Sequence, residues 1–236
     1  MSRALPSDEI HVWTFSVTDA RPAHLGLLSD DERERAGRFR HARAYSHFVL
    51  GRATLRQILS DYLDRDPAGI FFDYGAHGKP SLSDEAETGL HFNLSHSHEL
   101  AVLAMTRGRA VGVDVEQINP ERATDEIARR FFSAFEWGAL QQLPAKQRTA
   151  AFFRCWTSKE AFIKLIGDGL TFPLDAFDVS PLLGEPPAIL SVNGDANEAR
   201  RWSLRELAVP PGYAATLVVE GQILAVVERQ WNESAS

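Results

Sequence analysis

Two spacings of apolar residues alternate along this chain. Apolar positions at every second residue read as a strand with one buried face; every third or fourth residue reads as an amphipathic helix. The clearest strand is Val111-Gly112-Val113-Asp114-Val115-Glu116. Its valines face one way and Asp114 and Glu116 the other, roughly 6.5 Å apart along the strand. Further strands are predicted over residues 10–17, 70–74, 100–105, 170–172, 177–179, 188–192, 202–207, 213–219 and 223–227. One long helix is predicted from about Ala44 to Leu63, where Phe48, Leu55, Ile58, Leu59 and Tyr62 form a stripe. A second runs from about Lys146 to Ile166, with Phe152, Phe153, Trp156, Phe162, Ile163 and Ile166 as its core face. Ser29 or Asp30, Thr124 and Ser133 stand where N-caps belong, and Gly167 stands where a left-handed C-cap belongs. The stretch His91 to Glu99 reads as a polar turn between strands, or alternatively as an anion pocket made by Ser95, His96 and backbone N–H groups.

The elements repeat in order. Strand, arginine-rich segment, long helix and strands fill residues 10–109; strand, short helices, long helix and strands fill 110–228. Glu99-Leu100-Ala101-Val102-Leu103-Ala104 is echoed by Gly212-Tyr213-Ala214-Ala215-Thr216-Leu217, and Gly51 to Ile58 by Ser158 to Leu165. The expected fold is α+β: two similar α/β lobes related by a pseudo-twofold axis, residues 1–109 and 110–236, with a ligand cleft between them.

Charge and composition narrow the function. The 236-residue chain carries a net charge of −7, which excludes a general nucleic-acid binder with its basic footprint. No apolar run is long enough to span a bilayer, and the N-terminus has no apolar signal segment. Cys155 is the one cysteine, so no internal disulfide is possible, as in a reducing cytosol. A cytoplasmic protein with no nucleic-acid or membrane partner is expected.

The candidate chemistry lies on the opening strand and the second long helix. In Trp156-Thr157-Ser158-Lys159-Glu160-Ala161-Phe162-Ile163-Lys164, Glu160 and Lys164 stand four apart and share a face. With Asp114 and Glu116, Glu160 makes an oxygen-rich set suited to Mg²⁺ bridging to a phosphate. Lys159 points about 100° away from Glu160, and its plain reading is an exposed surface lysine. Five arginines fall between Arg33 and Arg43: a solvated helix face, or an anion-binding patch. Gly75-Ala76-His77-Gly78-Lys79-Pro80 is no Walker loop, because Pro80 stands where Ser or Thr is needed.

Together these residues resemble the 4′-phosphopantetheinyl transferases. Gly112-x-Asp114-x-Glu116 and Trp156-Thr157-x-Lys159-Glu160-Ala161-x-x-Lys164 are similar to that family's paired signature. Arg38-Phe39, Gly78-Lys79-Pro80, Phe92-Asn93-x-Ser95-His96-Ser97 and Arg130-Phe131-Phe132 extend the match. The two-lobed length resembles the monomeric type that activates peptide and polyketide synthetases. The resemblance implies transfer of the phosphopantetheine arm of coenzyme A to a serine of an apo acyl or peptidyl carrier protein, with adenosine 3′,5′-bisphosphate leaving. It implies Mg²⁺, with Mn²⁺ as the alternative, on Asp114, Glu116 and Glu160. Catalytic roles fall to Glu160 as base, Lys164 and Asp114. Coenzyme A contacts fall to Arg35, Lys79, Ser95, His96 and Lys164. Some relatives carry a further basic residue one turn before Arg35, where this chain has Glu32; Arg33, Arg38 or Arg52 could supply that charge. The arginine run and the segment around Phe131, Phe132 and Trp137 are the candidate carrier-docking faces. Two other readings stay open: a different Mg²⁺-dependent phosphotransferase or pyrophosphatase, and a non-catalytic coenzyme A-binding relative.

Overall fold

The computed structural model describes residues 3–167, 172–223 and 225–232. The first half runs β1 (Glu9–Ser16), α1 (Pro22–Leu25), α2 (Asp30–Gly37), α3 (Ala42–Leu63), β2 (Phe72–Tyr74), β3 (Pro80–Leu82), α4 (Glu85–Thr88), β4 (Leu90–Ser97) and β5 (Leu100–Arg107). The second half runs β6 (Val111–Gln117), α5 (Asp125–Phe131), α6 (Ala134–Gln142), α7 (Ala145–Ile166), β7 (Phe177–Val179), β8 (Ile189–Val192), α8 (Ala196–Ala199), β9 (Trp202–Glu206), β10 (Tyr213–Glu220) and β11 (Ala225–Gln230).

The two halves are built alike. The first sheet contains the strands β1-β5-β4 in that order, and the second sheet has the corresponding order β6-β10-β9. The long helices α3 and α7 each span 22 residues. Each half also carries a small antiparallel pair, β2-β3 and β7-β8.

The alternation of side chains explains the layering. On the first sheet Trp13, Phe15, Phe92, Leu103 and Met105 pack against Leu55, Ile58, Leu59 and Tyr62 of α3. The opposite face offers Ile10, Val12, Val102 and Ala104 to Val113, Val115, Leu217 and Val219 of the second sheet. The second sheet's other face meets α7. The order is therefore α3, sheet, sheet, α7, and the lobes share a core. Residues Leu100 to Thr106 of β5 are all buried, as expected of a central strand covered on both faces.

One strand crosses the expected lobe boundary. β11 lies parallel to β1 in the first sheet, with Glu9 opposite Ala225 and Thr14 opposite Gln230. A split into 1–109 and 110–236 therefore leaves one strand of the N-terminal sheet in the C-terminal segment. The physical reason is edge protection: without β11, β1 would present an unpaired edge. Val226 and Trp231 complete the attachment; Trp231 packs edge-on to Trp13 at 5.9 Å between ring centroids.

Other expectations change locally. Residues 91–97 are not a turn but most of strand β4; the turn is confined to His98, at φ 53°, and Glu99. The strand expected at 70–74 is shorter, and the one expected at 223–227 runs from Ala225 to Gln230. Most of the strand expected over residues 170–172 lies outside the described residues. The expected caps form: Thr124 accepts from the N–H of Ile127 and Ser133 from that of Glu136. Ser29 and Glu32 close a capping box at α2. Gly167 ends α7 at φ 79°, its N–H reaching the Ile163 carbonyl.

Lys159 is not on the surface. It is 1% exposed. Its Nζ reaches Glu136 Oε1 at 2.8 Å and donates to the carbonyls of Leu174 and Phe177 at 2.7 and 2.6 Å. Glu136 in turn accepts the N–H groups of Val179 and Ser133. The pair ties α7 and α6 to β7. Among the described residues no helix is long and apolar enough to cross a membrane.

Candidate functional site between the lobes

The outer strands β4 and β6 of the two sheets run side by side, and α7 lies across the second sheet. Gly112 makes that approach possible. A Cβ there would stand 2.1 Å from the Ala161 carbonyl oxygen and 2.7 Å from the Leu165 nitrogen. This close packing brings the C-terminal part of α7, with Glu160 and Lys164, against the strand that carries Asp114.

Asp114 is 3% exposed. Its Oδ1 accepts from Lys164 Nζ at 2.6 Å and from Ser95 Oγ at 2.9 Å. Lys164 Nζ also donates to Ser95 Oγ at 2.7 Å. Asp114 Oδ2 is buried and has no partner. Glu116 Oε2 accepts from Ser97 Oγ at 2.8 Å and lies 3.7 Å from Arg122 Nη1. Glu160 is half-buried. Burial first, and then repulsion from Asp114, push its carboxyl above the usual glutamate range; Lys164 opposes this and Glu116 adds to it.

A cleft of about 400 Å³ opens beside these groups. One wall is Arg35 of α2 and His47, Phe48, Gly51 and Arg52 of α3. The β2–β3 turn adds His77, Gly78 and Lys79, β4 adds Asn93, Leu94 and His96, and α7 adds Glu160, Ile163 and Lys164. His96 projects into the cleft, 5.4 Å from His47 between ring centroids. Its pKa is held down by burial first, and then by His47 and Lys164. Lys79 Nζ donates to the Lys164 carbonyl at 2.5 Å, at the negative end of α7. Burial lowers its pKa.

The structure brings together Glu160, Lys164, Arg35, Lys79 and His96 around this cleft; Asp114 stands behind Lys164, and Glu116 lines a neighbouring depression with Ser97 and Arg122. The structure places Ser95 behind the cleft wall, 4% exposed, with its hydroxyl on Asp114 and Lys164. Asn93 and Ser97 enter the sequence reading as motif positions with no role assigned, and their alternation with Ser95 is a readable strand signal. The arginine run disperses. Arg33 bonds the Leu25 and Leu28 carbonyls and Asp30; Arg38 pairs with Glu34. Of Arg33, Arg38 and Arg52, Arg52 is the one that lines the cleft, beside Arg35. Arg52 is 8% exposed, 3.7 Å from Glu32, against the rings of Phe48, Phe72 and Tyr74. Its Nη1 is buried without a partner. Glu32 itself is sealed under Arg56 at 2.7 Å. Of the aromatic docking candidates, Phe132 belongs to the core, while neighbouring Phe135 is 54% exposed.

Among the described residues no three acidic, histidine or cysteine side chains converge into a ready-made metal cage. The donors nonetheless fit a divalent cation. Asp114 Oδ2 is an orphaned buried acceptor, and Glu160 is destabilised as an anion by burial first and then by the neighbouring carboxylates. A cation answers both, and hard oxygen donors are what Mg²⁺ prefers.

A duplicated α+β fold whose interlobe cleft gathers Glu160 with Arg35, Arg52, Lys79 and Lys164 suits a polyanionic ligand. Residues 110–218 match the 4′-phosphopantetheinyl transferase superfamily, and residues 13–108 match the 4′-phosphopantetheinyl transferase N-terminal family. The 4′-phosphopantetheinyl transferase HetI of Nostoc sp. is 38% identical over 221 residues, 92% of this chain and 90% of that protein. The 4′-phosphopantetheinyl transferase Sfp of Bacillus subtilis is 34% identical over 155 residues, 66% of this chain and 67% of its own. The human L-aminoadipate-semialdehyde dehydrogenase-phosphopantetheinyl transferase is 30% identical over 222 residues, 86% and 72% of the two chains. The chain belongs to the 4′-phosphopantetheinyl transferase family.

Proposed function

We propose that this chain loads apo carrier proteins with the phosphopantetheine arm of coenzyme A at the cleft just described. A carrier serine oxygen forms a bond to the β-phosphorus of the pyrophosphate. The bond from that phosphorus to the bridging oxygen breaks, and adenosine 3′,5′-bisphosphate leaves. Phosphoryl transfer of this kind is mostly positioning and charge stabilisation.

Arg35, Arg52, His96 and Lys79 hold the anionic nucleotide end. Ser95 reaches the site through Lys164 and Asp114, to which its hydroxyl is committed. Lys164 sits between Asp114 and the cleft and offsets charge building on the phosphates. Glu160 takes the serine proton; its raised pKa brings it closer to the operating pH of a general base. Asp114, Glu116 and Glu160 would hold Mg²⁺, which would supply positive charge to offset that on the leaving group. One chain supplies both walls of the cleft, so the active unit is a monomer; activity confined to a larger species on a sizing column would contradict this. Cys155 is buried and unpaired, in keeping with a cytoplasmic home; localisation of a tagged chain checks it.

The observation that carries this reading is the orphaned Asp114 carboxylate oxygen beside Lys164, at a cleft lined with cations. The test is intact-mass analysis of an apo carrier domain incubated with the protein, coenzyme A and Mg²⁺. The carrier should gain the phosphopantetheine mass on serine. Glu160→Gln should slow that gain by about 10²-fold or more while circular dichroism stays unchanged. Coenzyme A cleavage without carrier loading would overturn the assignment.

A further inference from the structure

Strands β4 and β6 lie edge to edge, yet they belong to different sheets and no backbone ladder joins them. Side chains do the joining. Asn93 Oδ1 accepts the Val113 N–H at 2.8 Å, Ser95 Oγ the Val115 N–H at 3.3 Å, and Ser97 Oγ the Gln117 N–H at 3.1 Å. Alternation on one strand thus satisfies alternate donors on the other.

The three side chains differ in what else they do. Asn93 contributes no bond to a carboxylate. Ser95 and Ser97 each pass their own hydroxyl proton onward, Ser95 to Asp114 Oδ1 and Ser97 to Glu116 Oε2. A hydroxyl has one donor and can accept as well, so Ser97 is fixed from both sides. It is 7% exposed. Glu116 has a second suitor in Arg122, 3.7 Å away on a side chain that is 55% exposed. Glu116 stands two residues from Asp114 on the same face of β6.

We propose that Ser97 is a positioning residue: its hydroxyl holds the Glu116 carboxylate toward Asp114 and Glu160 and against capture by Arg122. It does this while clamping the two lobes through the Gln117 N–H. The inference rests on the reading of Glu116 as a cation ligand. Loss of an outer hydrogen bond to a ligand typically weakens metal affinity 10- to 100-fold.

The experiment measures Mn²⁺ binding to the protein alone by electron paramagnetic resonance, next to the melting temperature. Ser97→Ala should bind Mn²⁺ at least about tenfold more weakly and lower kcat with the coenzyme A KM unchanged. Adding Arg122→Ala to Ser97→Ala should restore part of the affinity. Asn93→Ala, which removes a seam bond of the same kind but touches no carboxylate, should lower the melting temperature and leave Mn²⁺ affinity in place. Should Ser97→Ala fail to fold, Ser97→Thr and Ser97→Val carry the comparison, being alike in volume and differing in the hydroxyl. Thr should retain Mn²⁺ affinity and Val lose it. Equal weakening by Ser97→Ala and Asn93→Ala, or none by Ser97→Ala, would overturn the role of Ser97 alone. No Mn²⁺ binding by the unmutated protein would remove the metal reading and this inference with it.

Discussion

Asp114 shows how much a single side chain's surroundings decide. One oxygen is engaged by Lys164 and Ser95 and the other is buried without a hydrogen-bond partner, so the residue is anchored and keeps one acceptor uncommitted. Glu160 is the complementary case. Burial and two carboxylate neighbours raise its pKa, and a group raised in this way loses its charge at a higher pH than an ordinary glutamate. In the metal-free protein folding therefore becomes less favourable as pH rises through the folded-state pKa, because the native state must then hold the charge. Cation binding requires the ionised form. Mn²⁺ affinity, titrated against pH, should begin to fall on acidification while still above the ordinary glutamate pKa of about 4.3. Of the three arginines that could stand in for the basic residue absent at Glu32, Arg52 alone lines the cleft. Arg52→Ala should raise the coenzyme A KM about tenfold, as expected for one lost charge-assisted contact worth about 1.5 kcal/mol. Arg33→Ala and Arg38→Ala, whose guanidinium groups pair elsewhere, should leave it unchanged. Residue types and spacings named Asp114, Glu160 and Lys164. They could not rank the arginines, since all are alike in sequence and differ only in which ones find local carboxylates and carbonyls.

At the scale of elements, β6 and α7 act as one unit because Gly112 lets the helix backbone sit against the strand. Gly112→Ala would put a methyl carbon inside the Ala161 carbonyl. Either α7 lifts off or the strand shifts. Urea unfolding should show a loss of about 3 kcal/mol, and the gap between Glu160 and Asp114 should widen enough to depress activity. The glycine was readable as part of a motif; its reason was not, because nothing in a strand's sequence says which helix lies on it. Lys159 and β4 depart from the sequence expectation for a related cause. Polar residues suggest solvent, yet Lys159 faces Glu136 and two carbonyls, and the polar alternation of Asn93, Ser95 and Ser97 faces the N–H groups of β6. In each the polar partner comes from a distant segment, which periodicity cannot report.

For the whole molecule, the shared core between the sheets makes the lobes interdependent. Ile10 and Val12 from one and Leu217 and Val219 from the other lie in a single apolar cluster, and β11 carries Val226 back into it. Removing residues 224–236 should bare the edge of β1 and the Trp13 face that Trp231 covers. The expected result is a lower urea midpoint with one cooperative transition rather than two, read by tryptophan fluorescence and circular dichroism together. Two separate transitions would contradict the shared core. The sequence by itself determined the duplicated order of elements, the long helices, the caps and the family, because these follow from local periodicity, local hydrogen bonding and short motifs. Tertiary structure alone decided the return of β11 to the first sheet, the β4–β6 seam and the choice of Arg52. It also showed that Ser95 and Ser97 stand behind the carboxylates rather than in the cleft. All of these depend on contacts between segments far apart in the chain, whose partners no local pattern specifies.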